Sequence, residues 1–83
     1  MAKILFEFEG KIIDVFRLND IEKMDEYDDA KQCLVHRIYF NRNPEELPML
    51  KTYVFDYVSA EFRDDRFEEL RIRLEGVEHI KFI

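Results

Sequence analysis

Residues 4–16 have the sequence ILFEFEGKIIDVF, and this stretch decides how the chain folds. Its residues are mainly the aliphatic and aromatic types that favour strands, and Glu9-Gly10 interrupts them where glycine permits the positive φ of a tight turn. We therefore predict a β-hairpin over residues 3–18. One face carries Ile4, Phe6, Phe8, Ile13 and Val15, and the other carries Leu5, Ile12, Phe16 and Leu18.

Large apolar side chains occupy odd and even positions alike in residues 4–8, 11–16 and 49–55. A half-buried strand should alternate apolar with polar residues, because successive side chains point to opposite faces of the sheet. A single helix covers only one sheet face. The surplus apolar face is therefore expected to meet a second element, a partner subunit or a target.

Residues 20–30 carry a helical pattern. Asn19 followed by Glu22 matches a capping pattern, and Ile21, Met24 and Tyr27 recur at helical spacing. Adjacent acids at the end of the segment would oppose the helix dipole. A short helix and an irregular loop therefore remain equal alternatives.

Two more strands are predicted on either side of a loop. Residues 32–40 form the first, with one face carrying Leu34, Ile38 and Phe40 and the other carrying Cys33, Val35 and Tyr39. Residues 41–48 contain both prolines and are predicted to be a loop, and residues 49–58 form the second strand. An antiparallel pair across this loop is the simplest connection.

Residues 59–76 carry two conflicting patterns. Residues 70–74 alternate like a strand, whereas Phe67, Leu70 and Leu74 form a helical stripe. Acids precede bases along the segment, as a helix dipole favours, so we prefer a helix to a strand for residues 66–75, with Ile72 pointing away from the stripe. Residues 77–83 then form a last strand.

The predicted order is β-β-(short helix or loop)-β-β-α-β. This order describes a single small α+β domain over residues 1–83. It should contain a mainly antiparallel sheet of about five strands, with a C-terminal helix packed on one face.

Composition narrows the possible functions. The chain has a formal net charge of −6, and residues 20–31 hold six acids against two lysines. Phosphate binding depends largely on Lys and Arg, so we expect no direct nucleic-acid binding. No apolar run approaches the ~18 residues of a membrane span and no signal-peptide core is present, so we expect no membrane insertion. Cys33 is the single cysteine and cannot form an internal disulfide, which favours a cytoplasmic protein.

No constellation of residues supports catalysis or a cofactor. Cys33 and His36 have a zinc-like spacing, but residues three apart on a strand point to opposite faces, so we predict no metal site. Residues 25–29 lack the glycine and the register of a calcium loop. No phosphate loop or nucleophile motif occurs, so the chain is not predicted to be an enzyme.

The predicted partner-binding surface combines an aromatic group with an acidic group. On the strand at 49–58, the aliphatic face with Val54 and Val58 is expected to be the core under the helix, and the aromatic face to be the interface. The alternative is that these rings pack against residues 20–30. The candidate residues are Tyr39, Tyr53, Phe55 and Tyr57 together with Asp25, Glu26, Asp28 and Asp29.

The function predicted from these features is a small acidic protein–protein interaction module that binds a basic partner. Proteins of this size and charge suit inhibitors, immunity or antitoxin proteins, and phage-encoded proteins. The alternative is a structural homo-oligomer, such as a homodimer, with no foreign target. A nuclease inhibitor that mimics nucleic acid and a small enzyme or ligand binder are less favoured.

Overall fold

The computed structural model describes residues 5–42 and 53–83. In these residues the chain forms a two-stranded sheet, a four-stranded sheet and one α-helix, so the predicted α+β class is confirmed. The elements are β1 (Leu5–Phe8), β2 (Lys11–Asp14), a 3₁₀ turn (Val15–Arg17), β3 (Leu18–Asp28), β4 (Cys33–Arg42), β5 (Tyr53–Tyr57), α1 (Ala60–Arg73) and β6 (Lys81–Phe82).

The predicted hairpin consists of β1 and β2, which pair in antiparallel fashion across Glu9-Gly10. Both turn residues have positive φ, 50° at Glu9 and 80° at Gly10. The hairpin ends earlier than predicted, because the Asp14 side chain accepts a hydrogen bond from the Phe16 amide and starts the 3₁₀ turn. Leu18 therefore belongs to β3 and is buried, so its assignment to the outer hairpin face was wrong.

The four-stranded sheet has the order β5-β4-β3-β6. Neighbouring strands are antiparallel except for β3 and β6, which are parallel. Both alternatives for residues 20–30, short helix and loop, were wrong: residues 20–28 lie in β3, the longest strand among the described residues, and only residues 29 and 30 lie in the turn that follows. The physical reason is tertiary, because β3 has a hydrogen-bonded neighbour on each side, and local helical spacing is overridden by this pairing.

The core lies between one face of this sheet and a layer formed by α1 and the hairpin. The ring of Phe8 in the hairpin lies 5.4 Å from that of Phe40 and 5.2 Å from that of Phe55, between centroids. From α1, the Phe67 ring lies 5.7 Å from that of Phe82. Two different elements therefore cover the same side of the sheet.

The two faces of β5 are the reverse of the prediction. Phe55 and Tyr57 are buried in the core, whereas Val54 is 43% exposed and Val58 is fully exposed. The hairpin packs over this side of β5, and aromatic rings fill the space beneath it. The sequence pattern did not predict that the hairpin lies there. On β4, Ile38 and Phe40 are buried as predicted, but Leu34 is 57% exposed.

The helix predicted at 66–75 is confirmed in type as α1, which begins earlier, at Ala60, and ends at Arg73. Ser59 caps its N-terminus by accepting a hydrogen bond from the Phe62 amide at 3.0 Å. The predicted stripe is buried and Ile72 points away from it. The last strand is shorter than predicted, since only Lys81–Phe82 pair with β3.

The predicted loop at 41–48 begins too early, because Asn41 and Arg42 are still in β4. The remainder of that loop and residues 49–52 of the predicted strand lie outside the described residues.

Candidate interaction surface

The sheet has a second face, which points away from α1 and the hairpin. Side chains alternate along a strand and paired residues share a face, so the neighbours of core residues such as Ile38 and Phe55 point outward. We call this outward side the open face. It carries Asp20, Glu22, Met24, Glu26 and Asp28 from β3, Val35, Arg37, Tyr39 and Asn41 from β4, and Val54 and Asp56 from β5.

The open face is acidic rather than apolar. Five of its side chains are carboxylates, namely Asp20, Glu22, Glu26, Asp28 and Asp56. Arg37 lies among them, Lys31 reaches the face from the turn between β3 and β4, and Lys81 at the sheet edge is in register with Asp20. Among the described side chains of this face, negative groups therefore outnumber positive ones.

Arg37 is held at the centre of the open face by three carboxylates. Its Nη1 donates to Glu26 Oε1 at 2.6 Å and its Nε donates to Asp56 Oδ1 at 2.7 Å. Its Nη2 donates to Asp28. The bonds to Glu26 and Asp56 raise the pKa of Arg37 above its ordinary value, and the three bonds together fix the side chain across three strands.

The carboxylates around Arg37 are kept ionised. The Tyr39 hydroxyl donates a hydrogen bond to Glu26, and this bond, followed by the bond from Arg37, lowers the pKa of Glu26. The Lys31 amide and then Arg37 lower the pKa of Asp28. Partial burial acts to raise the pKa of Asp56, but Lys31 and Arg37 outweigh it and the pKa is lowered.

Asp20 and Glu22 are oriented by a neutral donor. The Asn41 Nδ2 group donates to Asp20 Oδ1 at 2.6 Å and to Glu22 Oε1 at 3.0 Å. An amide donor fixes these oxygens without adding positive charge. This end of the open face therefore keeps its negative charge in a defined geometry.

The predicted acidic residues do not form one group. Glu26 and Asp28 lie on the open face and Asp29 is exposed in the β3–β4 turn. Asp25 lies on the other face, 2.7 Å from His36 Nδ1 and 3.0 Å from Arg63 Nη2, and its contact with His36 lowers its pKa. Since Arg63 is buried, Asp25 fastens α1 to the sheet.

The predicted aromatic residues are also divided. Tyr39 lies on the open face, half-buried beside Glu26. Phe55 and Tyr57 belong to the core, and Tyr53 packs against it with its ring 5.0 Å from the guanidinium of Arg42. The expected aromatic interface on β5 is therefore a core face.

Sequence reasoning missed Asp20, Glu22 and Asp56 as members of the surface. The signal was present, because the acids at positions 20, 22, 26 and 28 all have even numbers and share one face of a strand. Reading residues 20–30 as a helix or loop concealed that period.

Other kinds of site find little support in the described ranges. Within residues 5–42 and 53–83, no three His, Cys, Asp or Glu side chains are arranged to hold a metal ion. None of the helices found in those ranges combines the length and apolarity needed to cross a membrane. Comparison with protein-family models, curated proteins and solved structures finds no match to this chain.

Proposed function

We propose that this protein is a small, non-enzymatic interaction module that binds a basic partner protein through the open face. The observation that carries the proposal is the fixed array of five carboxylates on the open face, which neither α1 nor the hairpin covers. A cationic partner would neutralise the negative charge of these carboxylates that Arg37 and Lys31 do not balance.

The geometry favours recognition rather than mere solubility. Carboxylates on a solvated surface usually sample many rotamers, and ordering them on binding costs conformational entropy. Here Arg37, Tyr39 and Asn41 already hold them in place. The open face is therefore preorganised, and its charge would speed encounter with a basic surface.

The same array disfavours nucleic acid as the partner, since phosphates would be repelled by the carboxylates. The proposal extends to roles in which a small acidic protein occupies a basic surface, such as an inhibitor, an immunity or antitoxin protein, or a phage-encoded protein. We place this activity in the cytoplasm, because the single exposed cysteine, Cys33, calls for no oxidising compartment.

Selection from a random peptide library displayed on phage tests the proposal. The wild-type protein should enrich peptides rich in Arg and Lys. A variant with Asp20→Asn, Glu22→Gln and Glu26→Gln should lose most of this enrichment.

The matched control neutralises three exposed acids outside the sheet. Glu61→Gln, Asp65→Asn and Glu75→Gln change the net charge by the same amount and should leave the enrichment intact. Equal losses in both triple variants would mean that only overall charge matters, and enrichment of uncharged peptides would overturn the proposal.

A second candidate function is a homodimer, and one observation favours it. The outer face of the hairpin exposes Leu5 and Ile12, and the 3₁₀ turn that follows exposes Phe16, each more than half accessible. Two copies packed through this face would bury it. Light scattering at micromolar concentration distinguishes the candidates: a dimer that Ile12→Ser converts to a monomer supports this one, and a wild-type monomer rules it out.

A further inference from the structure

Within the part of the chain that the structure describes, the four-stranded sheet has a short strand edge with no partner strand. β4 begins at Cys33, but its pairing with β5 covers only His36 to Phe40. β5 ends at Tyr57, opposite His36, and the chain then bends away at Val58 towards α1. Among the described residues, Cys33–Val35 therefore pair with β3 on one side and with no strand on the other.

The two sides of this edge differ in chemistry. A side chain beside Leu34 points to the side of the sheet that carries α1, where Tyr27 and Phe62 are both more than half exposed. Side chains beside Cys33 and Val35 point to the open face. A strand added here would alternate between apolar surroundings and carboxylates.

A pocket of about 440 Å³ lies at the edge. Its lining includes Leu34, Val35 and Val58 together with Asp56 and Lys31. An apolar side chain and a neighbouring cation would both find complementary groups there.

The chain's own Lys31 already makes the charge contact that an added strand would make. Lys31 lies in the turn between β3 and β4, and its side chain extends past the edge to Asp56 on β5, where Nζ lies 2.6 Å from Oδ2. This ion pair shows that the position at Asp56 accepts an ammonium group. A partner cation would compete with Lys31 for it.

We propose that the partner contributes a short extended segment that pairs with Cys33–Val35 as an added strand, with an apolar side chain beside Leu34 and basic side chains on either side. This inference rests on the proposed function and names the partner chemistry: a basic–apolar–basic extended peptide. Backbone hydrogen bonds supply affinity and the alternating side chains supply specificity.

Calorimetric titration with two synthetic peptides tests the inference. The alternating peptide is Arg-Val-Arg-Val-Arg-Val-Arg, and the blocked peptide Arg-Arg-Val-Val-Val-Arg-Arg has the same composition and charge. The alternating peptide should bind at least about tenfold more tightly, which corresponds to one or two net hydrogen bonds and an apolar contact.

Two matched variants locate the effect. Leu34→Ser should remove most of the preference for the alternating peptide, while Leu5→Ser, a change at an equally exposed leucine of the hairpin, should leave it unchanged. Lys31→Gln should strengthen binding of the alternating peptide about threefold by removing the competing charge.

Each result separates this inference from the proposal on which it rests. Equal binding of both peptides, weakened by salt, would overturn strand addition and leave the acidic face as the binding surface. Loss of affinity in Lys31→Gln would also overturn strand addition at this edge. If neither peptide bound even at low salt, the proposed function itself would be wrong. Self-association of the protein through this edge would overturn the choice of a foreign peptide as the partner.

Discussion

Replacing Phe55 by Ala tests which face of β5 is the core. Phe55 is 8% exposed, and its ring packs edge-on against Phe8 and Phe40 at 5.2 and 5.4 Å between centroids. Deleting a buried aromatic ring of this kind costs about 3–5 kcal/mol. The whole domain is expected to have a free energy of unfolding of about 4–12 kcal/mol, so the change removes a large part of it.

The neighbouring residue provides the control. Val54 is 43% exposed on the opposite face, so Val54→Ala should cost no more than about 1 kcal/mol. Urea unfolding followed by far-ultraviolet circular dichroism measures both variants. Because Phe55→Ala removes so much of the free energy of unfolding, Ile38→Val serves as a milder core change with an expected cost of about 0.5–1.5 kcal/mol.

A larger loss for Val54→Ala than for Phe55→Ala would refute the structural assignment. It would restore the expectation from sequence that the aliphatic face of this strand is the core. Equal, small losses would mean that neither face is closely packed.

Three further changes probe other parts of the fold. Because Glu26 and Asp28 have lowered pKa values in the folded state, the free energy of unfolding should fall as the pH drops below their ordinary values of 4.5 and 3.8. Arg37→Gln should flatten this dependence in urea titrations, and an unchanged slope would contradict the network. Ser59→Ala should lower the free energy of unfolding by about 0.5–2 kcal/mol in the same assay. Ser59→Asp keeps the N-terminal cap of the helix and should lower it little. Gly10→Ala should cost about 1 kcal/mol because φ is 80° there although the space is open, and no loss would argue against the left-handed turn.

Local chemistry was enough to predict the hairpin and the helix. The Glu9-Gly10 turn fixes β1 against β2, and the stripe of Phe67, Leu70 and Leu74, with acids before bases, predicts α1. These signals act over a few residues. The hairpin and the helix can therefore be predicted without knowledge of the tertiary structure.

Pairing between distant segments could not be predicted in the same way. β3 is a strand because β4 and β6 flank it, although Ile21, Met24 and Tyr27 have helical spacing. The faces of β5 depend on where the hairpin places Phe8. The pairing partners are not visible in a single sequence, although the even-numbered acids at 20, 22, 26 and 28 do carry the period of a strand.

The candidate surface was predicted only in outline. The acidic character of residues 20–31 and the involvement of Tyr39, Glu26 and Asp28 were expected from sequence, while Asp56 was not. Its membership depends on the register between β4 and β5, which places it opposite Arg37.

The open face is tested most directly by recording amide chemical shifts of the ¹⁵N-labelled protein during titration with the alternating Arg-Val peptide. The largest expected changes lie at the strand edge, at Val35, with smaller ones at the neighbouring carboxylate residues Glu26 and Asp56, and all diminish with added salt. Amides on the outer side of α1, at Glu61 and Ile72, should stay unchanged. Shifts confined to the helix or the hairpin would contradict a binding role for the open face.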